Sequence, residues 1–230
     1  MVMEIPKIFV ISPKEMRDRG EVTEQHLRSV GLNPVMFSGL YGKNMRIMAV
    51  NRNFMPTSNP VLSPAMVSLA LNHWFLWQHM VLSEIPVAII FEDDVVLPAD
   101  FKDFFQKSVA DTPSDWEMIY LSIAFPERML EGKIGAERVS DRVWRHVVAR
   151  TWDGATDGLH AYMLTLEGAR KAISVPFTLD EPVDRWVSFN VSPFVKTYIW
   201  YPSPIRQRSV VGEWKTTLYD EGVVKSITPA

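Results

Sequence analysis

The chain has 230 residues, of which 47% are hydrophobic and 22% charged, enough for one large domain with a sizeable core. Its net charge of -3 and pI near 6.0 lack the basic excess that nucleic-acid binders carry, which sets nucleic acid aside as a partner. Cysteine is absent, so disulfides and thiolate metal sites are excluded.

The opening "MVMEIPKIFVISPKE" has no basic leader and no long apolar stretch, so no signal peptide is expected. No apolar run approaches the ~20 residues of a membrane span. A soluble, cytoplasmic protein is expected, folded as a single domain over 1–230 with a loosely packed tail from about 212.

Ile8 to Ile11 is a short apolar run closed by Ser12-Pro13, a buried strand followed by a loop. "EVTEQHLRSVG" spaces Val22, Leu27 and Val30 as a helix with Gly31 at its stop, and "NPVMFSG" is a second strand ending at Gly39. Strand, helix, strand at this spacing indicates a parallel α/β unit. Tyr41 to Pro60 has no periodicity and is expected to be a long loop. "SPAMVSLALNHWFLWQHMVLSE" is a helix capped by Ser63 with Pro64 at its first position. Next come an acidic strand in "VAIIFEDDVVLP", a helix in "FKDFFQKSV" and a strand in "EMIYLS". The stretch around "LEGKIGAERVSDRVWRHVVART" has no clean period and is left unassigned. "HAYMLT" is a strand, "TLEGARKAIS" a helix capped by Thr165, "DEPVDRWVSFN" a short helix, and "VKTYIWYP" a last strand before a polar tail.

The unusual feature is Glu92, Asp93 and Asp94, embedded between "VAIIF" and "VVL". Consecutive acids often mark only a solvated turn, but these apolar flanks do not suit one. At the carboxyl end of a strand in an open α/β sheet they lie where ligands bind. Strand alternation would send Glu92 and Asp94 to one face and Asp93 to the other. Two such carboxylates against an apolar wall repel each other unless a cation lies between them. Hard oxygen ligands suit Mg²⁺ or Mn²⁺, which share coordination among protein carboxylates, water and substrate phosphates.

These residues carry a family resemblance. "FEDDV", preceded by a helix containing "NHWFLWQ", resembles the lipooligosaccharide and procollagen galactosyltransferases of glycosyltransferase family 25. "VISPKEMRDR", "FSGLYGK", "GLHAYMLTLEGARKAI", "PVDRW" and "PSPIRQRS" follow in the family's order, over about Ile8 to Ser209. The resemblance implies a GT-A fold, an α/β domain with a mostly parallel central sheet flanked by helices. It implies inverting transfer of a hexose, galactose or glucose, from a UDP-sugar with Mn²⁺ or Mg²⁺ as cofactor.

The family's metal-binding acidic motif maps onto Glu92 and Asp94, with Asp93 alongside. The same match places Ser12, Arg19, Gly39, His73, Gln207 and Ser209 at the nucleotide-sugar donor; a buried histidine satisfied by a backbone carbonyl is the alternative for His73, and a plain surface charge for Arg19. His160 is a candidate further metal ligand or acceptor contact; a buried structural histidine is the alternative. Asp184 in "PVD" is the candidate general base. Asp180 and Glu181 are its rivals, and a plain helix-start carboxylate is the other reading. Trp74 and Trp77 suit the core better than a sugar platform, and Asp157 could be merely a solvated loop acid. Arg206 and Arg208 could neutralise phosphate or be surface charges.

Asn72 stands where the family has Ser, and Pro64, Ala65 and Met66 replace its Glu-x-Gly. A glycan, glycolipid or hydroxylysine hydroxyl is the expected acceptor, and "DRVWRHVVAR" could draw the protein to an acidic membrane surface. A metal-dependent phosphohydrolase and a catalytically silent nucleotide- or glycan-binding domain are the competing readings.

Overall fold

The computed structural model describes residues 3–44, 62–147, 155–178 and 181–214. Most of the Tyr41–Pro60 loop, Asp180 and most of the tail from 212 lie outside the described residues. In chain order come β1 (Lys7–Ile11), α1 (Arg17–Ser29), β2 (Pro34–Phe37), α2 (Pro64–Leu82), β3 (Val87–Glu92), β4 (Val95–Val96) and α3 (Phe101–Asp111). There follow β5 (Met118–Tyr120), α4 (Pro126–Leu130), β6 (Ala136–Arg138), β7 (Val143–His146), β8 (Ala161–Thr165) and α5 (Leu166–Ser174). The last elements are α6 (Val183–Trp186), running into a π-turn at Val187–Val191, then β9 (Thr197–Trp200) and β10 (Arg206–Gln207).

Eight strands form one sheet in the order β2-β1-β3-β8-β5-β9-β7-β6. β1 is parallel to β2 and β3, β5 is parallel to β9, and β8 is antiparallel to both of its neighbours. With β7 antiparallel to β9 and β6, only β8 and β7 run against the other six strands. The sheet is therefore mostly parallel, as the resemblance implies.

Alternation along β1 and β3 divides the core. Phe9, Ile11, Ala88 and Ile90 pack with Trp77 of α2, Ala169 and Ala172 of α5 and Trp186 of α6. Ile8, Val10, Ile89 and Phe91 pack on the other face with Leu27 of α1 and Phe101, Phe104 and Phe105 of α3. Strands buried on both faces read as continuous apolar runs, which is why "IFVI" and "VAIIF" lack polar alternation.

The caps form as expected. The Ser63 side chain accepts from the Met66 N–H at 3.2 Å, and Thr165 from the Gly168 N–H at 3.0 Å. α1 begins at Arg17, four residues before the first residue of "EVTEQHLRSVG", where Arg17 donates to Glu21 one turn ahead at 2.6 Å.

Two expectations need correction. The unassigned stretch contributes β6 and β7, a hairpin closing one sheet edge. The chain after β9 is not a simple polar tail either: Arg206 and Gln207 pair antiparallel with Val96 and Val95, forming a separate two-stranded ribbon. That ribbon returns "RQRS" to the acidic motif more than 100 residues earlier.

Gly39 has a packing role. Asn72 of α2 clamps the backbone after β2, its Oδ1 accepting from the Leu40 N–H at 2.6 Å and its Nδ2 donating to the Leu40 carbonyl at 3.0 Å. A Cβ on Gly39 would fall 2.2 Å from Asn72 Oδ1. Gly39→Ala is expected to destabilise the fold by ~1–3 kcal/mol through this overpacking, measurable as a lower thermal midpoint.

Candidate active site

The carboxyl ends of β1 and β3 open onto a cavity bordered by Arg19, Glu92, Asp93, Asp94, Gln207 and Ser209. The strand ends at Glu92, whose N–H donates to the His160 carbonyl at 2.9 Å. Asp93 and Asp94 then form a turn before β4. This corrects the expected two-faced arrangement: alternation stops at the turn, so all three acids border one cavity.

Each acid meets a different wall. Glu92 lies on the α2 face, its Oε1 3.6 Å from His73 Nε2. Asp93 pairs with Arg19 of α1 at 2.7 Å and accepts from the Ser12 hydroxyl at 3.3 Å. Asp94 lies 3.9 Å from the same guanidinium and accepts from the Ser209 hydroxyl. The turn's backbone is also held, the Asp93 carbonyl by Thr23 and the Asp94 carbonyl by the Arg208 N–H at 2.8 Å. Ser12 thus acts through Asp93, and Gly39 is not among the residues bordering the cavity.

The charge is under-compensated. Burial, Asp94 and Asp184 push the Glu92 carboxyl up to about 8, against the pull of Arg19. Burial pushes Asp93 up to about 7, even with Arg19 beside it. Asp94 is 3% exposed and its Oδ1 has no hydrogen-bond partner. An acid with a raised folded pKa stabilises the fold below its unfolded pKa, and that contribution is lost as pH rises toward the folded value. The buried His73, His146 and His160, pushed down to about 3, about 4 and about 4, give the opposite slope below their ordinary value of 6.5. The metal-free protein should therefore lose thermal stability between about pH 6.5 and pH 8, and a cation bound at the acids should flatten that decline. Thermal midpoints across pH, with a chelator and with added Mn²⁺, measure both.

Among the described residues no three His, Cys, Asp or Glu side chains are already gathered as a cation cage. The donor set nevertheless suits a hard cation that keeps its own water and substrate phosphates, because such a cation needs only one or two protein carboxylates. Glu92, Asp93 and Asp94 all border the cavity; Asp93 is held by Arg19 and Ser12, while Asp94 keeps an oxygen without a partner.

His160 has a buried Nδ1 without a partner, packed so that a Cβ on Gly158 would lie 3.0 Å away. Burial pushes its pKa down to about 4, against the opposing pull of Asp94. It borders a neighbouring cavity of about 340 Å³ that shares Gln207 with the first.

Asp184 opens α6, half-buried, its Oδ2 accepting from the Gly158 N–H and its Oδ1 from the Arg185 N–H, each at 2.9 Å. Burial raises its pKa, and the nearby Asp157 adds to the rise. Its charge adds to the rise of Glu92 and opposes the fall of His73. Asp157 is no solvated loop acid: it is 7% exposed and bridges Arg128 and Arg185. Trp77 is core, 1% exposed and stacked on Trp186.

Two cavity residues, and one beside Arg19, carry no signal of their own in the sequence. Tyr41 and Lys43 border it from the loop after β2. Trp214 lies under two guanidinium groups, Arg19 at 5.1 Å and Arg208 at 5.0 Å. Cation–π contact there ties the C-terminal ribbon to α1.

An open, mostly parallel sheet with helices on both faces, and an acidic turn over a cavity at its carboxyl edge, is an α/β fold whose ligand-binding crevice lies at the strands' carboxyl ends. Residues 5–187 match the family model described as "Glycosyltransferase family 25 (LPS biosynthesis protein)", and the chain belongs to that family. It is 24% identical over 221 residues to human "Procollagen galactosyltransferase 2", covering 87% of this chain and 33% of that protein. It is 28% identical over 140 residues to the bovine "Probable inactive glycosyltransferase 25 family member 3", covering 57% of this chain and 21% of the relative. The chain thus spans about a third or less of these relatives. Among solved structures, A197 from STIV aligns with a TM-score of 0.40 at 12% identity, over 88% of this chain and 84% of that one.

Proposed function

We propose that this protein is a metal-dependent, inverting glycosyltransferase that moves a hexose, galactose or glucose, from a UDP-sugar to an acceptor hydroxyl on a glycan, glycolipid or hydroxylysine. The observation that carries this reading is the acidic turn. Two buried carboxylates, Asp93 and Asp94, share one guanidinium with the half-buried Glu92 beside them, and Asp94 keeps an unpartnered oxygen beside a cavity at the sheet's carboxyl edge.

Mn²⁺ or Mg²⁺ held by Glu92 and Asp94 would neutralise charge developing on the departing diphosphate. Arg19 and Lys43 supply positive charge around the same cavity, and the Gln207 amide supplies a donor for phosphate oxygens, while Ser209 borders the cavity with its hydroxyl proton given to Asp94. In the transfer step the acceptor oxygen bonds to the anomeric carbon as the bond to the diphosphate breaks, and Asp184 takes the hydroxyl proton. Its raised pKa makes it a better proton acceptor than an ordinary surface carboxylate. His160 is proposed as a further ligand or acceptor contact through its unpartnered ring.

Among the described residues no helix is long and apolar enough to cross a membrane. The test is incubation with Mn²⁺ and a panel of nucleotide sugars. Chelator-sensitive release of UDP from one donor supports transfer; cleavage of simple phosphate esters would instead make the protein a hydrolase. Tight UDP binding with no turnover on any acceptor class would make it a silent binding domain.

A further inference from the structure

Behind Glu92, on the α2 face of the sheet, lies a buried line of polar groups that the proposed chemistry does not use. Trp77 and His73 are four residues apart on α2 and so share one face. Tyr162 on β8 is paired with Ile90, two residues before Glu92 on β3, which puts Tyr162 beside the same face as Glu92. Trp77 Nε1 donates to the Tyr162 hydroxyl at 2.7 Å, and that hydroxyl lies 3.0 Å from His73 Nδ1. His73 is fully buried, and its Nε2, 3.6 Å from Glu92 Oε1, has no hydrogen-bond partner.

The proton positions follow from donor and acceptor capacity. Indole N–H only donates, so the Tyr162 oxygen accepts from Trp77. The one phenolic proton is then free for His73 Nδ1, which must be an unprotonated acceptor. Were Nδ1 protonated instead, Tyr162 would accept twice and its own proton would have no place in the core. An imidazole whose Nδ1 only accepts is neutral and carries its single proton on the other ring nitrogen. That proton falls on Nε2, on the side facing Glu92, with the Asp184 charge also nearby. The 3.6 Å gap exceeds a hydrogen bond, so the Nε2–H acts on Glu92 as a nearby oriented dipole.

We propose that Trp77, Tyr162 and His73 form a fixed donor chain that orients the Glu92 carboxylate, with Trp77 and Tyr162 acting as positioning residues by locking the Nε2–H tautomer of His73. This rests on the reading of Glu92 as a cation-facing carboxylate. The chain leaves one Glu92 oxygen toward α2 and turns the other into the cavity. It also explains why three polar groups are kept in a core otherwise filled by apolar side chains: in the other tautomer, His73 would present a lone pair to a carboxylate.

Nitrogen-15 NMR of the imidazole in the metal-free protein reads the tautomer directly, and titration calorimetry with Mn²⁺ in the presence of UDP reads its consequence. The unsubstituted protein should show Nε2–H. Tyr162→Phe removes the proton donated to Nδ1 and should shift His73 toward Nδ1–H, weakening Mn²⁺ binding about tenfold. His73→Gln keeps an acceptor for Tyr162 and an N–H for Glu92, and should hold Mn²⁺ affinity within about threefold, whereas His73→Leu should lose at least tenfold. A purely structural role would make Gln and Leu equivalent once both fold. An Nδ1–H ring in the unsubstituted protein, or unchanged Mn²⁺ affinity in folded Tyr162→Phe, overturns the donor chain. If the unsubstituted protein binds no Mn²⁺ with UDP although the ring is Nε2–H, the cation reading of Glu92 fails instead.

Discussion

Asp94→Asn is expected to abolish Mn²⁺-dependent UDP binding, with a loss of at least 100-fold in calorimetry, while leaving the protein as stable as before or more so. The two effects share one cause. Asp94 raises the pKa of both Glu92 and Asp93 by repulsion, so removing its charge relieves the apo site. The amide can still accept from Ser209 through its oxygen, which preserves the contact to the C-terminal ribbon. What disappears is a negative charge opposite the donor's diphosphate, where only a cation makes the approach of two anions favourable. A thermal midpoint that stays level or rises while donor binding vanishes separates this from unfolding. Donor binding that survives in Asp94→Asn and tolerates a chelator would show that Arg19 and Lys43 alone neutralise the phosphates.

How much of this was legible beforehand depends on how local each signal is. Ser63 and Thr165 announce their helices because a cap is a contact across three residues, and "IFVI" and "VAIIF" announce buried strands because both sheet faces are covered. "SDRVWRHV" hides β7 because this strand near the sheet edge buries Val143 and His146 while leaving Arg145 in water. The acidic motif was visible, but its geometry was not. Alternation holds only while the ladder continues, and the ladder ends at Glu92. Beyond it, Thr23 and Arg208, distant in sequence on either side, fix the turn. Trp214 and Lys43 were illegible for the same reason: what places them is tertiary contact with Arg19, Arg208 and the cavity wall rather than any local pattern. Asn72, which reads in sequence as a departure from the family, both clamps the backbone at Leu40 and borders the cavity, a placement that no local pattern announces.

Asp184→Asn should separate chemistry from binding: kcat falling about 100-fold or more, the usual scale for a lost general base, with the donor KM nearly unchanged. Asp184 does not border the cavity of the acidic turn, so its loss leaves the proposed phosphate contacts in place. The substitution is not silent in the fold. Both carboxylate oxygens accept backbone N–H groups, from Gly158 and Arg185, and an amide must turn its NH₂ toward one of them. Leaving one such N–H unpaired costs about 1–3 kcal/mol, so a lower thermal midpoint should accompany the kinetic loss. The pH profile decides between the two contributions. In the unsubstituted protein, transfer should fall as pH drops through the raised pKa of Asp184, since the base must be ionised to take a proton. In Asp184→Asn that acid limb should vanish while any limb belonging to donor binding persists. An acid limb in kcat that persists at saturating donor and Mn²⁺, or a donor KM that rises as steeply as in Asp94→Asn, would transfer the base role to another group and leave Asp184 a helix-start carboxylate holding the Gly158 loop.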